Sequence, residues 1–361
     1  MKEKLHFGLF DWIEASTHRT SAEVYEHKLE LAAAADRAGF HGFFMAEHQG
    51  TPLSIDGSPS VVLSALFQRT RRLRAGALTF CLPWHDPYRF YHEVCMLDQM
   101  SRGRLELGVG RGVSPIESRI FGLRSIEESR AKYRETLDIF FAAARSESLT
   151  FDGKHYRYQD AELHVKPFQR PYPPLWFPSS NRESIEFTAR HGYHTALMAK
   201  LADCKPLFDE YREIWQRHRN DPDRHNAHVA APFLARTQHM VIADTEAEAE
   251  QTGLRAFETW KGHIHHLTRK HGRPDVHKIE PYAEDSVQRL VTGTPSSVLD
   301  KLQEVIRVTG TNYLLCIFSF GDIAPQHALR SLELFAGEVM PKLETRELGC
   351  IPVTASSGHW G

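Results

Sequence analysis

The chain has 361 residues, of which 41% are hydrophobic and 25% are charged, a composition typical of an ordinary soluble globular protein. Its formal net charge of -2 argues against nucleic acid as a partner, and no apolar run approaches the roughly 20 residues needed to cross a membrane. Five cysteines without a C-x-x-C pair, and an N-terminus without a signal-peptide core, predict a cytoplasmic protein without a disulfide framework.

The first part of the chain alternates short apolar runs with longer amphipathic stretches, which is typical of strands that are each followed by a helix. Residues 21–38 illustrate the helical pattern, because their apolar stripe ends at Gly39, a natural helix stop. The predicted strands here are residues 5–10, 42–46, 73–82 and 104–109, and the predicted helices are residues 21–38, 60–69, 87–100 and 126–144.

The alternation breaks at residues 150–174, which are rich in Gly, Pro and aromatic residues and predict an insertion that contains a β-hairpin. A second irregular region is predicted at residues 262–291. Eight predicted strands, each followed by helical sequence, favour parallel pairing with right-handed crossovers, in a closed barrel or an open doubly wound sheet. The later strands are residues 175–178, 193–198, 231–241 and 313–319, and the later helices are residues 182–191, 204–219, 296–309 and 325–342.

Polar residues that could take part in catalysis or ligand binding follow the second and fourth predicted strands. The functional residues of such folds cluster at the ends of the strands. Glu47 and His48 follow the second strand, and histidine is suited to proton transfer near neutral pH, although a single histidine at a strand end is more often structural. Arg111 lies between Gly110 and Gly112, so its guanidinium could meet a phosphate where the backbone approaches a ligand closely. A flexible turn with a surface arginine is the alternative.

A serine-rich turn follows the fifth predicted strand and precedes a helix. Free backbone N–H groups and the helix dipole at Ser179, Ser180 and Asn181 favour an anion, although simple N-capping explains the same residues. The histidines of residues 262–266 have the spacing of metal ligands, but no carboxylate or cysteine is near them in the sequence. We therefore predict no metal site.

Several longer motifs occur along the chain. They are LDQMSRGRLELGVGRG at residues 97–112, Glu47-His48, LPWHDP at 82–87, PPLW at 173–176, GTP at 293–295 and FAGEVMP at 335–341. Together they resemble the luciferase-like flavin monooxygenases, in order from about residue 5 to residue 343. The resemblance implies a (β/α)8 TIM barrel with insertions after strands 4 and 7, and it favours the barrel over the open sheet. It implies one domain over residues 1–345, followed by a loose tail at residues 346–361.

The resemblance implies that FMN binds at the barrel mouth in its reduced form, FMNH2. By the same resemblance, Arg111 and Arg130 match the phosphate-binding arginines, and Ser179 and Ser180 lie in the phosphate-binding loop after strand five. Thr79 matches the residue that packs under the isoalloxazine ring, where the family has a non-prolyl cis peptide bond. His48 matches the family's catalytic histidine, with Glu47 beside it.

The implied activity is oxygenation of a small organic substrate by a flavin C4a-hydroperoxide, formed from FMNH2 and O2, with FMNH2 supplied by a separate reductase. The apolar walls of the site would come from aromatic residues at strand ends, which serve equally well as core residues. A homodimer is expected, since the family commonly dimerises through early helices and residues 90–100 are unusually apolar. The aromatic residues are Phe10, Trp12, Phe80, Trp84 and Trp176.

One residue departs from the family pattern. The family often has Glu-His-His after strand two, and here the third position is Gln49, which cannot carry a proton at neutral pH. Light emission is therefore not implied. Two alternatives remain open at this point: an F420-dependent dehydrogenase with the same barrel, which transfers hydride without oxygen, and a non-catalytic flavin-binding relative.

Overall fold

The structure of the chain is a computed structural model that describes residues 4–179, 181–197, 199–273, 279–282 and 289–344. Within these ranges, twelve β-strands occur in an order that alternates with helices. The strands are β1 (His6–Asp11), β2 (Gly42–Met45), β3 (Arg74–Ala77), β4 (Phe80–Cys81), β5 (Leu107–Gly110), β6 (Ser148–Asp152), β7 (Arg157–Glu162), β8 (Leu175–Ser179), β9 (His194–Leu197), β10 (Leu234–Ile242), β11 (Leu290–Gly293) and β12 (Tyr313–Ile317).

The helices begin and end at residues with clear local signals. For example, the Thr20 side chain and Glu23 form a capping box at the start of α1, and Gly39 ends that helix with φ of 86°. A short 3-10 helix (Leu82–Trp84) precedes α3, and a π-helical turn (Phe335–Val339) joins the last two helices. The helices are α1 (Ser21–Ala38), α2 (Pro59–Arg69), α3 (Pro87–Ser101), α4 (Pro115–Ile120), α5 (Ile126–Arg145), α6 (Arg182–His191), α7 (Leu201–Arg217), α8 (Glu246–Lys270), α9 (Pro295–Thr309), α10 (Pro325–Leu334) and α11 (Met340–Glu344).

The parallel strands form a closed (β/α)8 barrel, as the family resemblance implies. Their order is β3-β2-β1-β12-β10-β9-β8-β5-β4, and β11 pairs with β10 beside this path. The ends of the path meet, because the Ala75 amide donates to the Arg104 carbonyl and the Glu106 amide donates to the Ala75 carbonyl. β3 and β4 are two parts of one interrupted strand, which makes eight strands around the barrel. The open-sheet alternative is excluded.

Large side chains fill the barrel at the amino-terminal ends of its strands. Tyr313 and His6 are the first residues of β12 and β1, and Trp176 packs edge-on against Tyr313. A Cβ atom at Gly8 would lie 2.5 Å from the Tyr313 hydroxyl oxygen, so only glycine leaves room for this ring. Because this end of the barrel is solid, the carboxyl-terminal ends of the strands are left for a site.

Three sequence predictions need comment. The predicted hairpin is present as β6 and β7, which pair antiparallel. The prediction of irregular structure from residue 262 is wrong up to residue 270, because α8 continues through these residues and buries Trp260 and His265. Tertiary packing outweighs a local run of histidines there. Parts of residues 274–288 and the predicted tail at residues 346–361 lie outside the described residues, so the domain boundary at residue 345 stays a prediction.

The strand predicted at residues 73–82 is interrupted between β3 and β4. The peptide bond between Leu78 and Thr79 is cis, as the resemblance implies. None of the described helices is long and apolar enough to span a membrane.

Candidate functional site

Glu47, at the carboxyl end of β2, is buried and binds the turn that follows β4. One of its oxygens accepts the Cys81 amide at 2.6 Å, and the other lies 3.0 Å from His85 Nε2. Burial alone lowers the pKa of His85, but the hydrogen bond and the charge of Glu47 outweigh burial and raise that pKa. Glu47 therefore fastens β2 to the 3-10 helix and is not hydrogen-bonded to its sequence neighbour His48.

His48 is held by a carboxylate that sequence reasoning missed. Glu117 of α4 is buried, and its Oε1 atom lies 3.1 Å from His48 Nδ1 and 2.7 Å from the Gln49 amide nitrogen. Burial alone lowers the pKa of His48. The hydrogen bond to Glu117 and the nearby negative charges outweigh burial and raise that pKa above its ordinary value. The charges belong to Glu117, Asp56 and Glu47.

A second buried carboxyl group, Asp56, lies on the loop between β2 and α2. Burial raises the pKa of Asp56 to about 7, and the negative charge of Glu47 acts in the same direction. The Ser54 hydroxyl donates to Asp56 Oδ1, and Oδ2 has no hydrogen-bond partner among the described residues. The site therefore contains a histidine whose pKa is raised and a carboxyl group whose pKa is raised to about 7, and groups of this kind are suited to proton exchange.

Thr79 follows the cis peptide bond and packs against the end of β5. A Cβ atom at Gly110 would lie 2.3 Å from Thr79 Oγ1, and one at Gly112 would lie 2.8 Å from the Trp84 ring. Gly112 also has φ of 74°, a conformation that other residues rarely adopt. The side chains of Thr79 and Trp84 therefore require glycine at these two positions. The sequence interpretation attributed the two glycines to the close approach of a ligand instead.

Arg111 lines a basic cleft of about 160 Å³ between the end of β5 and the start of α5. Burial lowers the pKa of the Arg111 guanidinium, and the nearby positive charge of Arg130 lowers it further. Arg119 and Arg124 also line the cleft, a signal that would have been visible in the sequence as additional arginines near the start of α5. Positive charge concentrated beside a helix N-terminus favours an anion such as a phosphate.

The structure separates the two serines that the sequence grouped. Ser179 is the last residue of β8, is buried, and its hydroxyl oxygen lies 3.0 Å from Thr195 Oγ1. Asn181 caps α6, since its side chain accepts the Ser184 amide at 3.0 Å. Ser180 lies outside the described residues. Because β5 pairs with β8, Ser179 and Arg111 lie at the carboxyl ends of adjacent strands.

Of the five aromatic residues predicted as walls, four are buried and one is partly exposed. Trp176 and Phe80 are fully buried, and Trp176 Nε1 donates to Glu106 Oε2 at 2.6 Å, so the prediction that they line the site is wrong. Their strands place them in close-packed surroundings that only the tertiary structure reveals. Trp84 is partly exposed and stacks on Phe121 with ring centroids 5.0 Å apart, beside the cleft. The other two wall residues, Phe10 and Trp12, contact each other and are buried.

The histidine run on α8 lies beside a carboxylate, contrary to the interpretation from the sequence. His263 Nδ1 is 2.7 Å from Glu14 Oε1, and Glu14 is buried. Residues two positions apart on a helix point in different directions, so His263 and His265 do not converge. Among the residues that the structure describes, no three His, Cys, Asp or Glu side chains form a metal-binding group.

Comparison with known sequences identifies one family. The luciferase-like monooxygenase family matches residues 5–312. The uncharacterized protein y4wF of Sinorhizobium fredii is 31% identical over 345 residues, covering 95% of this chain and 98% of that protein. Limonene 1,2-monooxygenase of Rhodococcus erythropolis is 25% identical over 346 residues, covering 94% of this chain and 86% of that enzyme.

Solved structures with the same fold include oxygenases and a dehydrogenase. The oxygenating constituent of 3,6-diketocamphane monooxygenase from Pseudomonas putida, in complex with FMN, has a TM-score of 0.77 and 21% identity, covering 94% of this chain and 98% of that chain. An F420-dependent secondary alcohol dehydrogenase has a TM-score of 0.70 and 17% identity, covering 94% of this chain and 99% of that chain.

Proposed function

The chain belongs to the luciferase-like monooxygenase family and is an oxygenase, and from that premise we propose that it uses reduced FMN and O2 to oxygenate a small organic substrate. The observation that carries the proposal is the basic cleft around Arg111, which lies at the same face of the barrel as His48. The residues of this cleft would hold the phosphate of FMN, and His48 and Asp56 lie at the same face of the barrel.

The donor set of the cleft fits FMN. Arg111 and Arg130 are near enough for one charge to lower the pKa of the other, and a phosphate dianion would relieve this repulsion. Thr79, which lies between β3 and β4, and Ser179 at the end of β8 are proposed to contact the cofactor, on the basis of the family resemblance and their position. When bound, reduced FMN provides the chemistry with O2. The protein positions the cofactor and the substrate and transfers protons.

We propose that His48 exchanges the proton that oxygenation requires at the flavin ring. Its side chain is 22% exposed, so it is reachable from the barrel mouth, and the negative charges around it favour its protonated form. Glu47 contributes one of these charges and also positions the Cys81 turn through its hydrogen bonds.

The rival activity is F420-dependent hydride transfer, which is favoured by the fold of the F420-dependent alcohol dehydrogenase. The deciding experiment incubates the protein separately with FMN, FMNH2 and F420, and measures affinity and oxygen consumption. We expect FMNH2 to bind and to consume O2. Tight binding of F420 without oxygen consumption would overturn the proposal, and FMN binding without any turnover would identify a non-catalytic flavin-binding relative.

A separate flavin reductase is the proposed partner. The diketocamphane enzyme is described as an oxygenating constituent, which supports a two-component system here as well. The four described cysteines are free and buried, in keeping with the cytoplasmic location proposed from the sequence.

The cleft predicts discrimination between FMN and riboflavin, which lacks the phosphate. We expect FMN to bind at least about tenfold more tightly, since charge-assisted hydrogen bonds contribute roughly 1.5–3 kcal/mol each. Arg111→Ala should remove most of this difference, as measured by fluorescence titration with both ligands. Arg89→Ala serves as the control, because that exposed arginine pairs with Glu93 on α3. Equal affinities of the wild-type protein for FMN and riboflavin would contradict the assignment.

We propose that the protein is a homodimer that associates through α2 and α3. Most apolar residues of α3 are buried within the chain itself, which weakens the sequence argument, but Met96 and Met100 remain 52% and 43% exposed. They lie four positions apart and so share one face of the helix. Val61 on α2 is 69% exposed, and α2 packs against α3.

Met96→Lys is expected to shift the protein from dimer to monomer at micromolar concentration, because a charge would have to be buried at the interface. Sedimentation velocity measures the outcome. Val113→Lys, on the loop after β5, is the control that changes another exposed apolar residue away from these helices. A monomeric wild-type protein would count against the proposed interface.

A further inference from the structure

The buried carboxylate of Glu117 lies at the centre of the contacts around His48. Glu117 belongs to α4, whose first turn is fixed by Ser114, since the Ser114 hydroxyl oxygen accepts the Glu117 amide. Its side chain is only 4% exposed. A carboxylate buried to this degree is costly unless hydrogen bonds compensate it, so its partners reveal what it is positioned to hold.

One oxygen of Glu117 lies within hydrogen-bonding distance of two nitrogen atoms. The Gln49 backbone amide donates to Oε1 at 2.7 Å, and His48 Nδ1 lies 3.1 Å from the same atom. An oxygen that already accepts an amide proton is placed as an acceptor for the ring as well, so Nδ1 carries a proton. The neutral form of His48 then has its lone pair on Nε2, and Nε2 is the atom that can accept and return a proton.

Gln49 stabilises the loop that follows His48. Its side-chain Nε2 atom donates to the Gly57 carbonyl at 2.9 Å, which closes the loop of residues 49–57. The loop carries Asp56, whose charge acts on His48. Gln49 occupies the position where the family often has a second histidine. Its side chain stabilises the loop, so proton exchange is left to His48.

We propose that Glu117 is a positioning residue for His48: it fixes the Nδ1–H tautomer and so assigns proton exchange to Nε2. The consequence for catalysis rests on the proposed oxygenase function, whereas the tautomer itself does not. The charged groups that face His48 are Glu117 of α4, Asp56 of the loop and Glu47 at the end of β2. Among the residues that the structure describes, Glu117 is the group hydrogen-bonded to the ring.

The test uses Glu117→Gln in the full-length protein, because an amide keeps the size of the side chain but removes its charge. Nitrogen NMR of protein labelled at histidine, compared with His48→Gln to identify the signal, reports the tautomer and the titration midpoint of His48 without any cofactor. We expect wild-type His48 to carry its proton on Nδ1. In Glu117→Gln we expect a mixture of tautomers and a titration midpoint at lower pH.

Kinetics provide the second readout. In Glu117→Gln, kcat for oxygenation should fall about tenfold or more, the KM for FMNH2 should not change, and the limb of the pH–rate profile due to His48 should move to lower pH. Loss of structure alone would not move that limb. If the variant fails to fold, the wild-type NMR spectrum still decides, because a proton on Nε2 of neutral His48 would overturn the proposal.

Glu14→Gln is a matched control. Glu14 is also buried, lies 2.7 Å from a histidine Nδ1 atom, that of His263, and accepts a backbone amide from Gly321. We expect it to leave the His48 signal and the pH–rate profile unchanged, even where it lowers thermal stability. An unchanged tautomer and midpoint in folded Glu117→Gln would refute the positioning role and leave the oxygenase function standing. Absence of oxygen consumption by the wild-type protein would refute that function and leave the NMR result valid.

Discussion

His48→Ala is expected to slow oxygenation by about 10²–10⁴-fold while leaving the affinity for FMNH2 unchanged, since that is the range of general acid–base contributions. The affinity should persist because the basic cleft around Arg111, and not His48, is proposed to hold the phosphate. His48→Gln should lose a similar factor, because an amide keeps hydrogen bonding but exchanges no proton at neutral pH.

Three measurements on the same variants separate catalysis from packing: the thermal midpoint, the affinity for FMNH2 and the rate of oxygenation. His263→Gln is the matched control, since His263 is also paired with a buried glutamate and its side chain is 18% exposed against 22% for His48. We expect the control to keep its rate. If folded His48→Ala turns over at the full rate, His48 has no part in the reaction.

The protein is expected to lose much of its stability between about pH 6.5 and about pH 4.5. Burial lowers the pKa of six histidines to about 3 or 4, so the folded state releases protons that the unfolded state keeps in this range. Stability from a histidine with a lowered pKa is present above its unfolded value of 6.5 and declines as the pH falls below it. The six are His6, His27, His41, His194, His225 and His239.

Carboxyl groups with raised pKa values oppose this trend, because they bind protons in the folded state. Burial raises the pKa of four described carboxyl groups, Glu14, Asp56, Asp98 and Asp138, but it also lowers the pKa of His191 and His228, so eight histidines stand against four carboxyl groups and the histidines prevail. At on the order of 1 kcal/mol per proton for each pH unit, the loss over this range is on the order of a few kcal/mol once the partly exposed His6 and His225 are discounted for solvent screening.

Urea unfolding at several pH values measures the effect, and His239→Phe tests its origin. Both ring nitrogens of His239 lack a hydrogen-bond partner among the described residues, and Trp12 and Trp260 surround the ring. In the variant, the slope of the free energy of unfolding against pH below about pH 6.5 should decrease by the equivalent of about one proton. Stability at neutral pH should not be lost. His18→Gln, at an exposed position, should not alter the slope. A free energy of unfolding that is constant down to about pH 4.5 would contradict the prediction.

Much of the fold follows from local features of the sequence. The boundaries of α1 are set by its capping residues and its apolar period, all within one stretch of chain. The same holds for the alternation of strands and helices, from which parallel pairing follows. Because the carboxyl ends of parallel strands share one face, the strand-end positions of His48 and Arg111 were enough to place both at the barrel mouth.

Closure of the barrel and the composition of the site were decided by the tertiary structure. Closure depends on Ala75 meeting Arg104 and Glu106, and the partner of His48 is Glu117, 69 positions away. Trp176 reads as a wall residue in the sequence and is a core residue in the fold. Capping and periodicity act between residues a few positions apart, so a short stretch of sequence is enough to recognise them. Burial, ion pairing and the pKa shifts they cause depend on neighbours that only the folded chain brings together.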